Sequence, residues 1–191
     1  NFLVTIIKMR APGMTWGRLP IFVWSVFAAS WLALFFTQFF AASLVMVLMD
    51  RLLGTSFFQG EGAPVLYQHM FWFYSHPAVY IFVLPGFGMA LEVLAHFSRK
   101  PLYAYRWVVA AFIGIVVGLV PGAGATIASF VSYGTELQYG RRKAELGTGI
   151  PEGIIAPQTA ATSSVGGALI PLVTMGIPGS GATAIILGAF L

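Results

Sequence analysis

The chain has 191 residues, of which 58% are hydrophobic and only 8% are charged, and its formal net charge is +4. Soluble domains carry about 25% charged residues, so this composition excludes an ordinary soluble protein and predicts an integral membrane protein. The absence of cysteine excludes disulfides and thiolate metal sites, and the position of the basic residues beside apolar segments gives no support to nucleic-acid binding.

Four apolar segments follow one another along the chain, at residues 20–49, 64–97, 107–133 and 153–191. About 20 helical residues cross a bilayer core, and the segments lack the alternation of membrane strands. We therefore expect an all-α integral membrane protein with two to three transmembrane helices, followed by re-entrant helical hairpin segments with Gly/Pro tips. The chain begins at Asn1 without a signal-peptide pattern and ends within an apolar run, so we expect a fragment.

The loops between these segments differ in their number of lysines and arginines. Three basic residues precede the first segment, one follows it, and three lie between the second and the third. Because positive loops stay cytoplasmic, the loops are predicted to be inside, outside and inside in turn. The loop at residues 134–148 again carries three basic residues. The rule holds there only if the third segment dips into the membrane and returns to the same side.

The second apolar segment contains a histidine and a tyrosine at helical spacing. His76 and Tyr80 are four residues apart, so both are expected on one face of a helix. Polar side chains inside a membrane span are costly and are often functional. The alternative from spacing alone is an interfacial histidine whose ring is satisfied by a neighbouring carbonyl.

Residues 1–107 resemble subunit I of haem–copper cytochrome oxidases. The resemblance is carried by "NFLVTIIKMRAPGMTWGRLPIFVWSVF", "DRLLGTSFF", "GAPVLYQHMFWFYSHPAVYIFVLPGFG" and "FSRKPLYAYRW". It implies that His76 is a copper ligand and that Tyr80 is the tyrosine covalently joined to that histidine. Many family members have a glutamate where this chain has Ala78. A branch without it carries Tyr-Ser before the histidine, as Tyr74 and Ser75 do here, which implies that their hydroxyls serve in proton relay.

The resemblance implies copper and haem as cofactors, but the sequence offers an incomplete set of ligands. A further His-His pair for copper and axial histidines for haem are absent. His69 lies about 10 Å from His76 along a helix and His96 about 30 Å, whereas a metal–nitrogen bond is about 2 Å. The sequence thus leaves enzymatic activity open, and we expect no oxygen reduction by this chain alone.

The motif "PGAGAT" at residues 121–126 returns as "PGSGAT" at residues 178–183. Proline lacks the N–H that a continuous helix needs, and Gly-x-Gly turns where residues with a Cβ atom would be strained. The motif therefore predicts two non-helical tips, with new helices starting at Ala125 and Ala182. Irregular backbone at membrane depth persists where protein or a wet cavity covers it.

Two interpretations of the repeated motif stay open. Paired Gly/Pro breaks in a transporter mark a binding site, and helix N-termini favour a carboxylate. In the other interpretation, glycine and alanine simply allow close helix packing. The predicted substrate-binding residues are Gly122, Gly124, Thr126, Gly179, Ser180, Gly181 and Thr183.

Residues 108–191 resemble the large membrane subunit of the tripartite tricarboxylate transporters. The resemblance is carried by "AAFIGIVVGLVPGAGATIASFVSYGTE" and by "GTGIPEGIIAPQTAATSSVGGALIPLVTMGIPGSGATAIILGAFL". It implies uptake of citrate-like carboxylates together with a small membrane subunit and a periplasmic binding protein. The oxidase resemblance implies other oxidase subunits as partners instead.

Three hypotheses follow from the two resemblances. The chain is part of an oxidase subunit I, part of a transporter membrane subunit, or a chimeric reading frame joined at residues 107–112 and inactive in both roles. The third hypothesis describes the chain best, with domains at residues 1–107 and 108–191. In each case we expect a multi-pass protein of the bacterial inner membrane, with membrane lipid around it.

Overall fold

The computed structural model describes residues 1–60, 63–102, 104–120 and 122–190. They form helices and loops, and no strand occurs among them. The predicted all-α fold is confirmed. The helices are α1 (Phe2–Lys8), α2 (Ile21–Leu52), α3 (Ala63–Ser98), α4 (Tyr105–Gly118), α5 (Gly124–Tyr139), α6 (Glu152–Met175) and α7 (Gly181–Phe190), with 3-10 turns at Trp16–Arg18 and Lys143–Glu145.

Helices α2 and α3 are both long and apolar enough to cross a membrane. Their outward side chains remain uncovered: Phe82 is 79% exposed and Phe97 is 82% exposed. Large apolar surfaces of this kind face lipid or further protein. The prediction of two transmembrane helices at residues 20–49 and 64–97 agrees with these elements to within three residues at each end.

The two long helices pack as an antiparallel pair. Near one end the Phe22 backbone N–H donates to the Glu92 carboxylate at 3.5 Å, and near the other the Phe36 and Phe73 rings lie 5.2 Å apart. Phe36 and Phe73 are each 5% exposed. Two prolines, Pro77 and Pro85, lie inside α3 without ending it.

Helices α4 and α5 form a hairpin. The start of α4 and the end of α5 are joined by an ion pair between Arg106 Nη1 and Glu136 Oε2 at 3.2 Å. The turn between them spans residues 119–123, of which Pro121 lies outside the described residues. The predicted reversal of the third apolar segment is confirmed, since its two ends meet.

Helix α6 packs against both arms of this hairpin along a stripe of small residues. A Cβ atom built on Gly114 would lie 2.9 Å from the Ala160 Cα atom, and one built on Gly118 would lie 2.7 Å from the Ser164 Cα atom. The Ser132 hydroxyl of α5 donates to the Ala156 carbonyl at 3.0 Å. Because the helices meet at positions without bulky side chains, their backbones come into direct contact.

The last two helices are separated by a second break. Helix α6 ends at Met175, and the next residue, Gly176, has a left-handed φ of 68°. The break continues to Ser180, and α7 begins at Gly181. The predicted helix starts at Ala125 and Ala182 are each one residue late, because α5 begins at Gly124 and α7 at Gly181. The two motifs are thus only partly non-helical, and their last three residues belong to helices.

Packing is concentrated in two groups of helices. Helix α2 packs mainly on α3, and α6 packs mainly on α4 and α5. Smaller contacts join α2 to α4 and α3 to α6. At the first of these, the Tyr105 hydroxyl donates to the Leu19 carbonyl at 2.6 Å and accepts from Trp24 Nε1 at 3.0 Å.

Candidate functional site

His76 and Tyr80 form the polar pair of α3. Their ring centroids are 5.1 Å apart with an interplanar angle of 50°, so the predicted placement on one helix face is confirmed. His76 is exposed and Tyr80 is half-buried. The histidine ring is accessible to a metal ion or to a further helix. The Tyr80 ring lies next to it on the same face.

The two hydroxyl residues before His76 have separate surroundings. The Tyr74 ring stacks on Phe40 of α2 at 4.9 Å between centroids and 17° between planes. The Ser75 hydroxyl donates to the Phe71 carbonyl at 2.8 Å, within its own helix. Tyr74 therefore helps to hold α3 against α2, and the Ser75 proton is already engaged by the backbone.

The histidines do not gather into a metal centre. Within the described part of the chain, no three side chains of His, Cys, Asp or Glu lie close enough to hold an ion together. His96 packs its ring edge-on against Phe97, at 5.7 Å between centroids. A copper site needs several nitrogen or sulfur ligands, so the described residues do not fit a complete copper or haem site.

The two repeated motifs come into direct contact. Gly124 is buried and has a φ of 47°, which side chains with a Cβ atom rarely adopt. A Cβ atom built there would lie 2.9 Å from the Ser180 Cβ atom and 3.0 Å from the Gly179 carbonyl oxygen. The start of α5 is therefore seated against the turn that precedes α7, and glycine is required for this approach.

Ser180 and Thr183 cap the start of α7 reciprocally. The Ser180 N–H donates to the Thr183 hydroxyl at 2.8 Å, and the Thr183 N–H donates to the Ser180 hydroxyl at 3.2 Å. The Thr183 hydroxyl also donates to the Ser180 carbonyl at 2.8 Å. Both hydroxyls thus satisfy backbone groups that would otherwise lack a partner at a helix start.

The predicted substrate-binding residues separate into two sets. Gly124, Gly179, Ser180 and Thr183 lie together at the contact between the motifs. Gly122, Thr126 and Gly181 are exposed, and a Cβ atom built on Gly122 or on Gly181 would meet no atom within 4 Å. Protein atoms therefore fill the space between the two motifs. Gly122, Thr126 and Gly181 lie on the exposed side of this contact.

Glu136 is not among the predicted site residues, although it is charged and buried. Its side chain is 10% exposed and pairs with Arg106. Burial raises the pKa of the Glu136 carboxyl, Arg106 opposes the rise, and Glu152 adds to it. The four-residue spacing of Ala128, Ser132 and Glu136, all buried, is the sequence signal that places this carboxylate on the packed face of α5.

The Arg106–Glu136 pair borders a cavity of about 840 Å³ between the helix ends. Arg18, Arg141, Arg142 and Glu152 also line it. In the sequence these arginines served only to assign loops to one side of the membrane. The fold shows that they surround a common space.

Comparison with known proteins identifies the first two thirds of the chain. Residues 1–124 match the family described as cytochrome C and quinol oxidase polypeptide I. A cytochrome c oxidase subunit 1 of Cereibacter sphaeroides is 48% identical over 123 residues, which is 63% of this chain and 22% of that protein.

Two further relatives give the same result. The cytochrome c oxidase subunit 1 of Thermostichus vulcanus is 50% identical over 108 residues, or 56% of this chain and 20% of the relative. That of Bacillus subtilis (strain 168) is 46% identical over 143 residues, or 67% of this chain and 23% of the relative. The chain spans about a fifth of the length of the curated relatives it matches.

Proposed function

The chain belongs to the family of cytochrome c and quinol oxidase polypeptide I, and from this membership we propose that its first part serves in a haem–copper terminal oxidase of the bacterial inner membrane. In this role it contributes to electron transfer to oxygen and to proton pumping. Its partners are the other oxidase subunits. The observation that carries the proposal is the His76–Tyr80 pair, with ring centroids 5.1 Å apart on one face of α3.

His76 is the proposed copper ligand, and Tyr80 is its partner at the reaction site. His76 is exposed, so its imidazole is accessible to a metal ion. The remaining ligands of that ion would come from the other segments of a complete oxidase. When bound, copper would supply the redox chemistry. Tyr80, on the same face of α3 as His76, would hold a proton there, and the proposed relay residues are Tyr74, which stacks on Phe40, and Ser75, whose hydroxyl donates to the Phe71 carbonyl.

The experiment is a graft. Residues 1–107 replace the corresponding segment of a complete oxidase subunit I, and the assembled enzyme is assayed for copper content, haem absorbance and oxygen uptake. We expect His76→Ala to lose copper and oxygen uptake, and Tyr80→Phe to keep copper but lose uptake. His96→Ala is the matched control, since that ring packs on Phe97. Retention of stoichiometric copper by His76→Ala would remove the proposed ligand.

The proposed second part, residues 108–191, is a portion of a tricarboxylate transporter membrane subunit. The observation that favours it is the meeting of the two motif tips, with the Gly124 position against Gly179 and Ser180. In transporters built from repeats, the substrate site lies between the repeats, at the ends of interrupted helices. Two motif tips that meet are expected in such an arrangement. A small membrane subunit and a periplasmic binding protein are the partners in this case.

The transporter proposal has its own test. Residues 108–191 are grafted into a complete transporter relative, and tricarboxylate uptake is measured for Gly124→Val and Gly181→Val. A carboxylate site predicts loss of uptake in both variants. If the motifs only pack together, Gly181→Val transports normally, because its added side chain meets open space. We also propose a chimera joined at residues 107–112, because the contacts of α2 with α4 and of α3 with α6 are fewer than those within the two helix groups, although the family match continues to residue 124. Sequencing intact genomic DNA across this junction tests that proposal.

A further inference from the structure

A cavity lies between the helix ends, away from the His76 region. It has a volume of about 840 Å³ and is lined by the chain before α2, the start of α4, the end of α5 and the start of α6. Trp16, Tyr105 and Tyr139 are among its walls. Aromatic rings with polar edges are typical of the membrane–water interface, so the cavity lies at the level of lipid headgroups.

The walls of this cavity carry an excess of positive charge. Four arginines, Arg18, Arg106, Arg141 and Arg142, stand against two glutamates, Glu136 and Glu152.

Two of these arginines are occupied by ion pairs. Arg106 is bound to Glu136, and Arg142 is bound to Glu145 and lies 3.7 Å from Glu152. Within the described part of the chain, no ion pair involves Arg18 or Arg141, and both are exposed. Two guanidinium groups are therefore available to an anion.

An apolar groove lies next to this cavity. It has a volume of about 190 Å³, no polar atom contributes to its surface, and it shares Trp24 and Ile113 with the larger cavity. Its other walls include Phe27, Trp31 and Val117. A basic space beside an apolar groove suits a ligand with an anionic head and a hydrocarbon tail.

We propose that this cavity and groove bind one anionic phospholipid, with its phosphate at Arg18 and Arg141 and an acyl chain in the groove beside Trp24 and Ile113. The basic loops assign this end of the molecule to the cytoplasmic side. The cytoplasmic leaflet carries anionic lipids, and basic pockets between membrane helices recognise their headgroups. Residues from both proposed parts of the chain build the site, so it depends on their being joined.

The experiment measures lipid binding to the purified full chain in detergent by native mass spectrometry. The probes are phosphatidylglycerol and phosphatidylcholine with identical acyl chains. We expect the wild-type chain to retain phosphatidylglycerol and not phosphatidylcholine. Arg18→Gln combined with Arg141→Gln should weaken phosphatidylglycerol binding about 30-fold, because each arginine at a membrane surface contributes about fivefold.

Three further variants test separately the charge of the two arginines, their position in the cavity and the role of the groove. The pair Arg18→Lys and Arg141→Lys keeps the charge and should retain most of the binding. Arg51→Gln removes an exposed arginine at the opposite end of α2 and should bind as the wild type does. Val117→Trp fills the groove and should weaken binding without changing the basic residues. Circular dichroism establishes that each variant retains its helices.

Three results would overturn the proposal. The first is equal retention of the two lipids, and the second is unchanged phosphatidylglycerol binding by the variant that combines Arg18→Gln with Arg141→Gln. The third is displacement of the lipid by inorganic phosphate at similar concentration, which would make the cavity a site for free anions that uses no acyl chain.

Discussion

Gly88 of α3 lies against Ser25 of α2 so closely that a Cβ atom built on the glycine would be 2.7 Å from the Ser25 Cβ atom and 3.1 Å from the Phe22 Cα atom. Real Cβ atoms do not approach other carbon atoms to the first of these distances. The two long helices can therefore approach this closely only because position 88 has no side chain.

Gly88→Ala is expected to lower the free energy of unfolding by about 1–3 kcal/mol, because overpacking forces the helices apart. The matched control is Gly86→Ala in the same helix, where an added Cβ atom meets nothing within 4 Å. Alanine is a better helix former than glycine, so this control should be neutral or slightly stabilising. Unfolding by denaturant in detergent micelles measures both. Equal effects of the two substitutions would contradict a tight α2–α3 contact.

A similar substitution probes the contact between α4 and α6. Alanine at Gly114 or Gly118 places a Cβ atom within 2.9 Å of a backbone Cα atom of α6, and backbone cannot move aside as a side chain can. We expect a loss of about 2–3 kcal/mol for each. Gly134→Ala, on the open side of α5 with nothing within 4 Å, is the control. Thermal unfolding followed by circular dichroism gives the order of stability, and an unchanged Gly118→Ala variant would argue against direct backbone contact.

The contact between the motifs predicts an asymmetry between two glycines. Gly124→Ala introduces a side chain at a φ of 47° and against Ser180, so we expect a loss of about 2 kcal/mol or more. Gly181→Ala lies in open space at the start of α7 and should change stability little. The same unfolding measurement distinguishes them, and comparable losses in the two variants would mean that the motifs do not pack as described.

Glu136 should make stability depend on pH in a defined direction. Burial raises the pKa of its carboxyl above the ordinary value of 4.5, against the influence of Arg106 and with that of Glu152. The folded state then keeps the proton at a higher pH than the unfolded chain does. The contribution of Glu136 to the free energy of unfolding is complete below the pKa of the unfolded chain. It is lost as pH rises through the higher pKa of the folded state.

We therefore expect the free energy of unfolding to fall with rising pH across this window, and Glu136→Gln to lack that component. The control is Glu145→Gln. The hydrogen bond from Arg142 lowers the pKa of the Glu145 carboxyl, so its contribution is lost as pH falls and has the opposite sign. It should also be small, because the pair is exposed and screened by solvent. Denaturant titrations at a series of pH values measure both variants, and a wild-type slope retained in Glu136→Gln would assign the effect to another group.

The number of histidines predicts the metal content of the purified chain. With three histidines and no cysteine in the sequence, we expect no stoichiometric haem spectrum and at most weak copper binding. Loss of that weak binding in His76→Ala, with retention in His96→Ala, would assign it to the proposed ligand. Optical absorbance and copper titration are the measurements, and one haem per chain would contradict the ligand count.

The sequence predicted the helices well because their boundaries depend on local features. Long apolar runs define α2 and α3, and the breaks at the two glycine motifs define the starts of α5 and α7 to within one residue. The hairpin followed from the basic residues of one loop, since placing that loop on the same side as its predecessor requires a reversal.

The contacts between distant residues could not be predicted in this way. Arg106 and Glu136 form a pair only because the turn at residues 119–123 sets the register of α4 against α5. The contact between Gly124 and Ser180 likewise depends on where α6 carries the second motif. The spacing of small and apolar residues within one helix indicates which of its faces is packed. Which residue of another helix contacts that face depends on how the helices assemble.

The two prolines of α3 also have a mechanical consequence for the polar pair. Pro77 lies between His76 and Tyr80, and it cannot donate the hydrogen bond that the Phe73 carbonyl would receive in an uninterrupted helix. The backbone therefore lacks one hydrogen bond in the turn from Phe73 to Pro77, directly beside His76. The rings of Phe36 and Phe39 of α2 pack on Phe73, at 5.2 and 4.5 Å between centroids. The contact with α2 thus supports α3 from outside at the turn where its own hydrogen bond is missing.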